Sequence, residues 1–334
     1  MCTTVRLGWV GVRGYGKRLW DSIKKSPLCN VVACLHPDIQ VANEAATRMK
    51  CLPFAELDDL LDCKEVDALV ISIPNKYHYD YSRRALESGK HVFVEKPLTN
   101  SVAEGEMLVR LSIEKSRVLM VGHNYRKSGF LKRMKKELEN GRIGKIVASE
   151  FNMGHGGGLK FKPHQWRFHR EEYPGGPLNM LGTHLIDAAN NLFGKPKSVS
   201  GIVKNMYADT TAEDMSLIQV CYQNGVVANI VNLYNSASTE FINIYGTNGA
   251  LHFKRWPVEG LWLQPKDIDC NCAPYEALTY EENNTALEIF EDFIRAIQEN
   301  TLNQTNSTQA LEVVRVMEAA LMFHKTGKLI QLCD

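Results

Sequence analysis

No apolar run in the 334 residues approaches the roughly 20 residues needed to cross a membrane as a helix. Neither sign of charge dominates: 39 Lys and Arg stand against 38 Asp and Glu, so no strong field exists to gather nucleic acid or a membrane surface. Paired cysteines are missing too. The nine cysteines are odd in number and scattered, which predicts reduced thiols. The one close pair, Cys270-Asn271-Cys272, has neither a second pair nor a spaced histidine pair, so no metal site is expected. No charged-then-apolar leader precedes the strand-like Val5-Arg6-Leu7-Gly8-Trp9-Val10, and the expectation is a cytoplasmic protein. The Asn-x-Ser/Thr triplets at Asn283, Asn303 and Asn306 then carry no message. Repeats and low-complexity tracts are absent.

What remains is an ordinary globular composition, 44% apolar and 23% charged, with length for two domains. The run Val92-Phe93-Val94-Glu95-Lys96-Pro97 reads as a buried strand that ends on a charged pair and stops at proline. The carboxyl rim of an open α/β sheet is where ligands bind, and a lysine there suits the polarisation of a substrate oxygen. A plain strand-end ion pair fits those residues equally well. Val5 to Val10 leads into Gly11-Val12-Arg13-Gly14-Tyr15-Gly16 and then a helix through Leu19, Trp20 and Ile23. Strand, glycine turn and helix are what a dinucleotide pyrophosphate needs. The middle glycine of the usual fingerprint is here Arg13. The second strand, Asn30 to Leu35, ends on His36-Pro37-Asp38 instead of the carboxylate that holds the adenosine ribose in the NAD version. Either Arg13 and His36 accommodate a 2′-phosphate, or Arg13 faces solvent and Asp38 takes the ribose. NAD and NADP both stay open.

The alternation continues. Glu56 to Asp62 is a short helix, Asp67 to Asn75 a buried strand with its rim, and His78 opens a helix that stops at Gly89. Ser101-x-x-Glu104 is a capping box, and Val118 to Val121 a last strand. Strands alternating with helices predict a doubly wound parallel sheet over residues 1–123. From 124 to 334 the pattern changes. An amphipathic helix at 128–140 and a strand at 145–152 lead to a glycine-rich loop, Trp166-Arg167, and a helix carrying Asn179, His184 and Asp187. Strands at 198–205, 216–222, 226–234 and 240–254 follow, with hairpin dipeptides Asn224-Gly225 and Asn248-Gly249. Helices at 284–298 and 307–326 and an edge strand at 328–332 close the chain. This half predicts an α+β domain with a large, mostly antiparallel open sheet.

Five motifs in order, Gly11 to Gly16, Ile73-Pro74-Asn75-x-x-His78, Glu95-Lys96-Pro97, Gly122-His123-Asn124-Tyr125-Arg126 and Gly182-Thr183-His184-Leu185-Ile186-Asp187, resemble the Gfo/Idh/MocA oxidoreductase family over essentially the full length. The resemblance implies a Rossmann domain for NAD or NADP and a sheet domain that mediates homodimer or homotetramer formation. It implies that Lys96 contacts the reacting hydroxyl and that His184 accepts its proton. Gly11, Arg13, Gly14, Tyr15, Gly16, His36, Ile73, Pro74, Asn75, His78, Glu95 and Lys96 would line the cofactor, with Trp166 and Arg167 reaching toward it. Tyr125, Arg126, Asn179, His184 and Asp187 would face a small sugar-type substrate. Many family members carry an aspartate four residues before the histidine; here that position is Met180, which accepts no useful hydrogen bond from imidazole. The relay then passes through Asp187, Asn179, a water or the substrate.

The expected activity is hydride exchange between nicotinamide and a carbinol carbon of a sugar, sugar nucleotide or polyol. An NAD-assisted glycosidase or epimerase, and a non-catalytic dinucleotide-binding regulator, are the alternatives.

Overall fold

The computed structural model describes residues 4–266, 274–301 and 306–332. Cys270, Cys272 and Asn303 lie outside the described residues. The chain divides into two compact units, Met1–Asn124 with Asn284–Leu311, and Tyr125–Asn283 with Glu312–Asp334.

The first unit holds strands β1 (Val5–Val10), β2 (Cys29–Leu35), β3 (Leu52–Phe54), β4 (Ala68–Ile71), β5 (His91–Val94) and β6 (Leu119–Val121). They form one parallel sheet in the order β3-β2-β1-β4-β5-β6. Between them run α1 (Gly14–Ile23), α2 (Ile39–Met49), α3 (Leu57–Asp62), α4 (His78–Glu87) and α5 (Val102–Glu114). Chain order reverses between β1 and β4, and a crevice at such a switch point is where this architecture binds ligands. Every residue of β4 is buried, as a strand covered on both faces requires. The Ser101 side chain accepts from the Glu104 backbone N–H and starts α5, as its capping box predicts.

The sequence reading gave all of 124–334 to the second domain. Residues 284–311 instead belong to the first unit. The cause is the apolar stripe of α8 (Thr285–Gln298), whose Ile289, Phe290, Phe293 and Ile294 are buried in the same core as Trp9 and Phe93. Phe290 and Phe293 meet Phe93 edge-on at 5.2 and 5.5 Å. Fully burying one such ring is worth about 1.5–3 kcal/mol, so this stripe outweighs its distance in sequence. Asn306 adds an edge contact. Its amide accepts from the Val121 N–H at 2.8 Å and donates to the Val121 carbonyl at 2.9 Å, pairing with edge strand β6 as another strand would.

The second unit is built on a nine-stranded sheet of β7 (Ile146–Gly154), β8 (Pro196–Lys204), β9 (Met215–Tyr222), β10 (Val227–Leu233), β11 (Thr239–Gly246), β12 (Gly249–Lys254), β13 (Gly260–Pro265), β14 (Glu276–Ala277) and β15 (Ile330–Gln331). The order is β14-β13-β12-β11-β7-β10-β9-β8-β15, and only the central pair β7·β10 is parallel. Alternate residues such as Ile218, Val220, Ile230 and Ile242 are buried in the core with Leu185, Ile186 and Ala189 of α7 (Thr183–Phe193) and Phe130 and Met134 of α6 (Gly129–Glu139). The other face exposes Leu217 and Ile202. No described helix is long and apolar enough to cross a membrane.

Candidate active site

In the first unit the motifs converge on the carboxyl ends of β1, β4 and β5. The glycine turn is fixed by contacts no side chain would allow. A Cβ on Gly16 would stand 1.8 Å from the Gly11 carbonyl oxygen, and one on Gly11, at φ +96°, 2.0 Å from the Ser72 carbonyl oxygen. The first turn of α1 thus lies directly on the end of β1, which lies on the end of β4. Gly14 differs: at φ +53° it has open space where a Cβ would be. The N-terminus of α1 with its free N–H groups faces that space, and the cradle fits a dinucleotide pyrophosphate.

Glu95 follows β5 directly and is 7% exposed. Its backbone N–H donates to Ile71, and a Cβ on Gly122 would stand 2.7 Å from its carboxylate, so Gly122 is what makes room for it. Its charge is the main influence raising the Tyr15 phenol above the ordinary range, which places Glu95 beside the glycine turn. Burial pushes the Glu95 carboxyl itself up to about 7, against the pull of the Lys96 charge. The folded state therefore holds a proton that the unfolded chain, with a glutamate near about 4.3, has already lost. That contribution to stability is complete below the unfolded value and is lost as pH rises through about 7. Its size is on the order of 3 kcal/mol. Urea unfolding across this window should show the wild type losing stability relative to Glu95→Gln by that order; parallel pH curves would contradict it.

His78 is 0% exposed, and its two ring nitrogens stand 2.8 Å from the Pro97 carbonyl oxygen and 3.0 Å from that of Ile73. Burial, the largest influence, lowers its pKa. A neutral ring has one N–H and donates to one of these two carbonyls, with its other nitrogen against the second, so His78 bridges the loops after β4 and β5 and packs beside the Lys96-Pro97 bond. Ile73, Pro74 and the buried Asn75 lie at the end of β4 as expected, and His36 at the end of β2. Asp38 is committed elsewhere: its side chain caps α2 by accepting from the Gln40 N–H.

The second unit carries His184 at the start of α7. Leu178–Gly182 just before it is a π-helical turn, with the Thr183 N–H donating to Leu178, five residues back. Such turns are frequent at functional sites. The sequence reading took the stretch as regular helix and put Met180, four residues back, behind the imidazole. Asn179, five residues before His184, lies in this turn and is 1% exposed. Met180 packs instead against the cluster of Tyr173, Leu181, Ala212 and Tyr234.

Asp187 has a strong partner in Arg126. It is fully buried, and its two oxygens bond Nε and Nη2 of Arg126, the Nε contact at 2.9 Å. Arg126 is spent in the same buried pair. Tyr125 donates its hydroxyl to Glu240 at 2.8 Å and sets its ring 5.7 Å from His184, a wall for the imidazole. Trp166 and Arg167 form a short turn in this unit, with the guanidinium 4.3 Å from the indole and Trp166 edge-on to Tyr173.

Sequence reasoning missed the supports. Glu213 accepts from the Gly175 N–H and, through its backbone, crowds Gly176, fixing the entry to the π turn. Asn232 on β10 lies under Gly182, where a Cβ would stand 2.7 Å from its side-chain oxygen, so Gly182 serves close packing rather than access. A buried polar residue on the covered face of a strand is the one signal that marked it. Among the described residues no cluster of His, Cys, Asp or Glu could hold a metal ion.

Comparison with known proteins settles what the two sites belong to. A family described as oxidoreductase, NAD-binding Rossmann fold, matches residues 5–123, and the GFO/IDH/MocA C-terminal domain matches 131–252. The chain belongs to the Gfo/Idh/MocA family. It is an NAD(P)-dependent oxidoreductase. An uncharacterised oxidoreductase of Schizosaccharomyces pombe is 29% identical over 343 residues, covering 90% of this chain and 92% of the relative. The scyllo-inositol 2-dehydrogenase (NADP(+)) of Bacillus subtilis is 25% identical over 97% of this chain and 95% of its own. The solved structure of levoglucosan dehydrogenase in complex with NADH superposes with TM-score 0.89 at 20% identity, over 99% of this chain and all of that one, and so shares this Gfo/Idh/MocA fold.

Proposed function

We propose that the protein exchanges a hydride between a nicotinamide dinucleotide and a secondary hydroxyl, or the matching ketone, of a sugar or cyclic polyol. One observation carries this: Lys96 stands at the carboxyl end of a central parallel strand, next to the His78 bridge, beside a glycine cradle that fits the dinucleotide. Relatives named for scyllo-inositol, levoglucosan and 1,5-anhydro-D-fructose support the substrate class. The bound nicotinamide supplies the hydride chemistry. Lys96 donates a hydrogen bond to the reacting oxygen and stabilises its developing negative charge. His184 takes the hydroxyl proton, since an imidazole titrates near neutrality. Asn179 orients that imidazole in place of the family's aspartate. Trp166 and Arg167 contribute to cofactor binding in the same reading. The exposed sheet face, with Leu217 and Ile202, pairs two copies into a homodimer or a larger assembly. The scattered, odd cysteines fit a reducing compartment, and the cytoplasm is the location this reading gives the protein.

The test is a panel of inositols, anhydrosugars and sugar nucleotides with either dinucleotide, read by nicotinamide absorbance. Turnover on at least one member is the expected result. Dinucleotide binding with no turnover, together with a tight protein partner, would replace this reading with a regulatory one. Substrate conversion without net absorbance change would make the enzyme a redox-neutral one.

A further inference from the structure

At the end of β2, where an NAD-specific turn presents a carboxylate, this chain presents donors. His36 Nδ1 accepts from the Asp38 backbone N–H at 3.0 Å, so the neutral ring carries its proton on Nε2, as a donor. Asp38 has one side-chain oxygen, Oδ1, already engaged in the α2 cap. Beside the turn, Arg13, Lys17 and Arg48 line one cavity of about 150 Å³, where Glu44 is the one carboxylate among the lining residues. Lys17 is partly neutralised by Asp21 at 3.1 Å, and Arg48 donates to the Val12 carbonyl at 3.1 Å, which holds it in place. Arg13 is exposed, and among the described residues its guanidinium forms no hydrogen bond or ion pair.

A ribose 2′-hydroxyl needs an acceptor here; a 2′-phosphate needs donors and positive charge. We infer that this enzyme selects the phosphorylated dinucleotide, with Arg13 and His36 holding the 2′-phosphate and Lys17 and Arg48 supplying the surrounding positive field. The inference rests on the dinucleotide reading above and sharpens it. Arg13 in the middle glycine position then has a reason: glycine there lets the backbone approach closely, whereas arginine trades part of that approach for a charge-assisted grip.

The experiment measures equilibrium binding to the purified full chain by nicotinamide fluorescence, with no turnover needed. NADPH is expected to bind at least about tenfold tighter than NADH. Adenosine 2′,5′-bisphosphate should displace NADPH better than adenosine 5′-diphosphate, and more so at low salt. Arg13→Gln should lose about tenfold in NADPH affinity with a smaller change for NADH. His36→Asp should shift the preference toward NADH. Arg13 is exposed in the loop after β1 and His36 partly exposed in the loop after β2, so both variants should keep the wild-type melting temperature, which checks folding. NADH binding as tightly as NADPH, or Arg13→Gln weakening both alike, would overturn the assignment while leaving the oxidoreductase reading intact. Failure of the wild type to bind either dinucleotide would overturn both.

Discussion

Lys96→Met and His184→Ala should each cut turnover by on the order of a hundredfold or more, with dinucleotide binding largely kept. Methionine keeps the length of the lysine stem and removes the charge, so the loss isolates the stabilisation of the reacting oxygen. Alanine at 184 removes the proton acceptor. In the direction of alcohol oxidation the wild-type rate should rise with pH as the imidazole loses its proton, and the His184→Ala variant should lose that limb. Such a profile separates a chemical role from a packing role, because a merely loosened site would slow the enzyme without changing the shape of its pH dependence. Near-normal turnover in both variants would remove these residues from the chemistry.

Gly16→Ala should abolish dinucleotide binding and lower stability, although alanine is the better helix former by about 1 kcal/mol. The opposing effect is larger. The new Cβ would stand 1.8 Å from a backbone oxygen of Gly11, and Gly11 is itself held 2.0 Å from where a Cβ of its own would strike Ser72. Backbone cannot swing aside as a flexible side chain can, and overpacking of this kind costs about 1–3 kcal/mol or more. Gly14→Ala is the control. It meets nothing in the protein and carries only the left-handed backbone cost of about 1–2 kcal/mol. Urea unfolding beside dinucleotide titration should find Gly16→Ala impaired in both and folded Gly14→Ala impaired chiefly in binding. Equal stability of Gly16→Ala and wild type would show that the turn yields.

The architecture was legible because its signals are local. Buried runs such as Ala68 to Ile71, the Ser101 cap and the hairpin glycines each act within a few residues, and their order in the chain fixes a doubly wound sheet followed by an antiparallel one. β3 was not legible: three residues with Pro53 at the centre carry no period. Lys96 and His184 stand out in the sequence through the motifs around them, whereas the residues that pack behind such motifs do not. His78 looks like a ligand in sequence because nothing local reveals two carbonyl oxygens arriving from separate loops. Asp187 looks like a relay because helical spacing places it near His184, and only the fold brings Arg126 to claim it. The π turn is invisible to any reading that assumes a constant rise per residue, so the packing of Met180 against Tyr173 and Tyr234 could not be read from its spacing to His184.

Phe290, Phe293 and Asn306 complete the first unit from the far end of the chain, and this orders events in time. During synthesis the strands of the glycine-turn unit precede the second unit, yet Phe93 lacks two of its ring partners and β6 keeps a bare edge until residues 290–306 have left the ribosome. The second unit waits in turn for residues 312–334, whose Val313, Val316 and Met317 enter its core. Neither unit is therefore finished before the other is largely made, and a nascent chain halted before residue 284 would present an unfinished nucleotide-binding core to the cell's quality control.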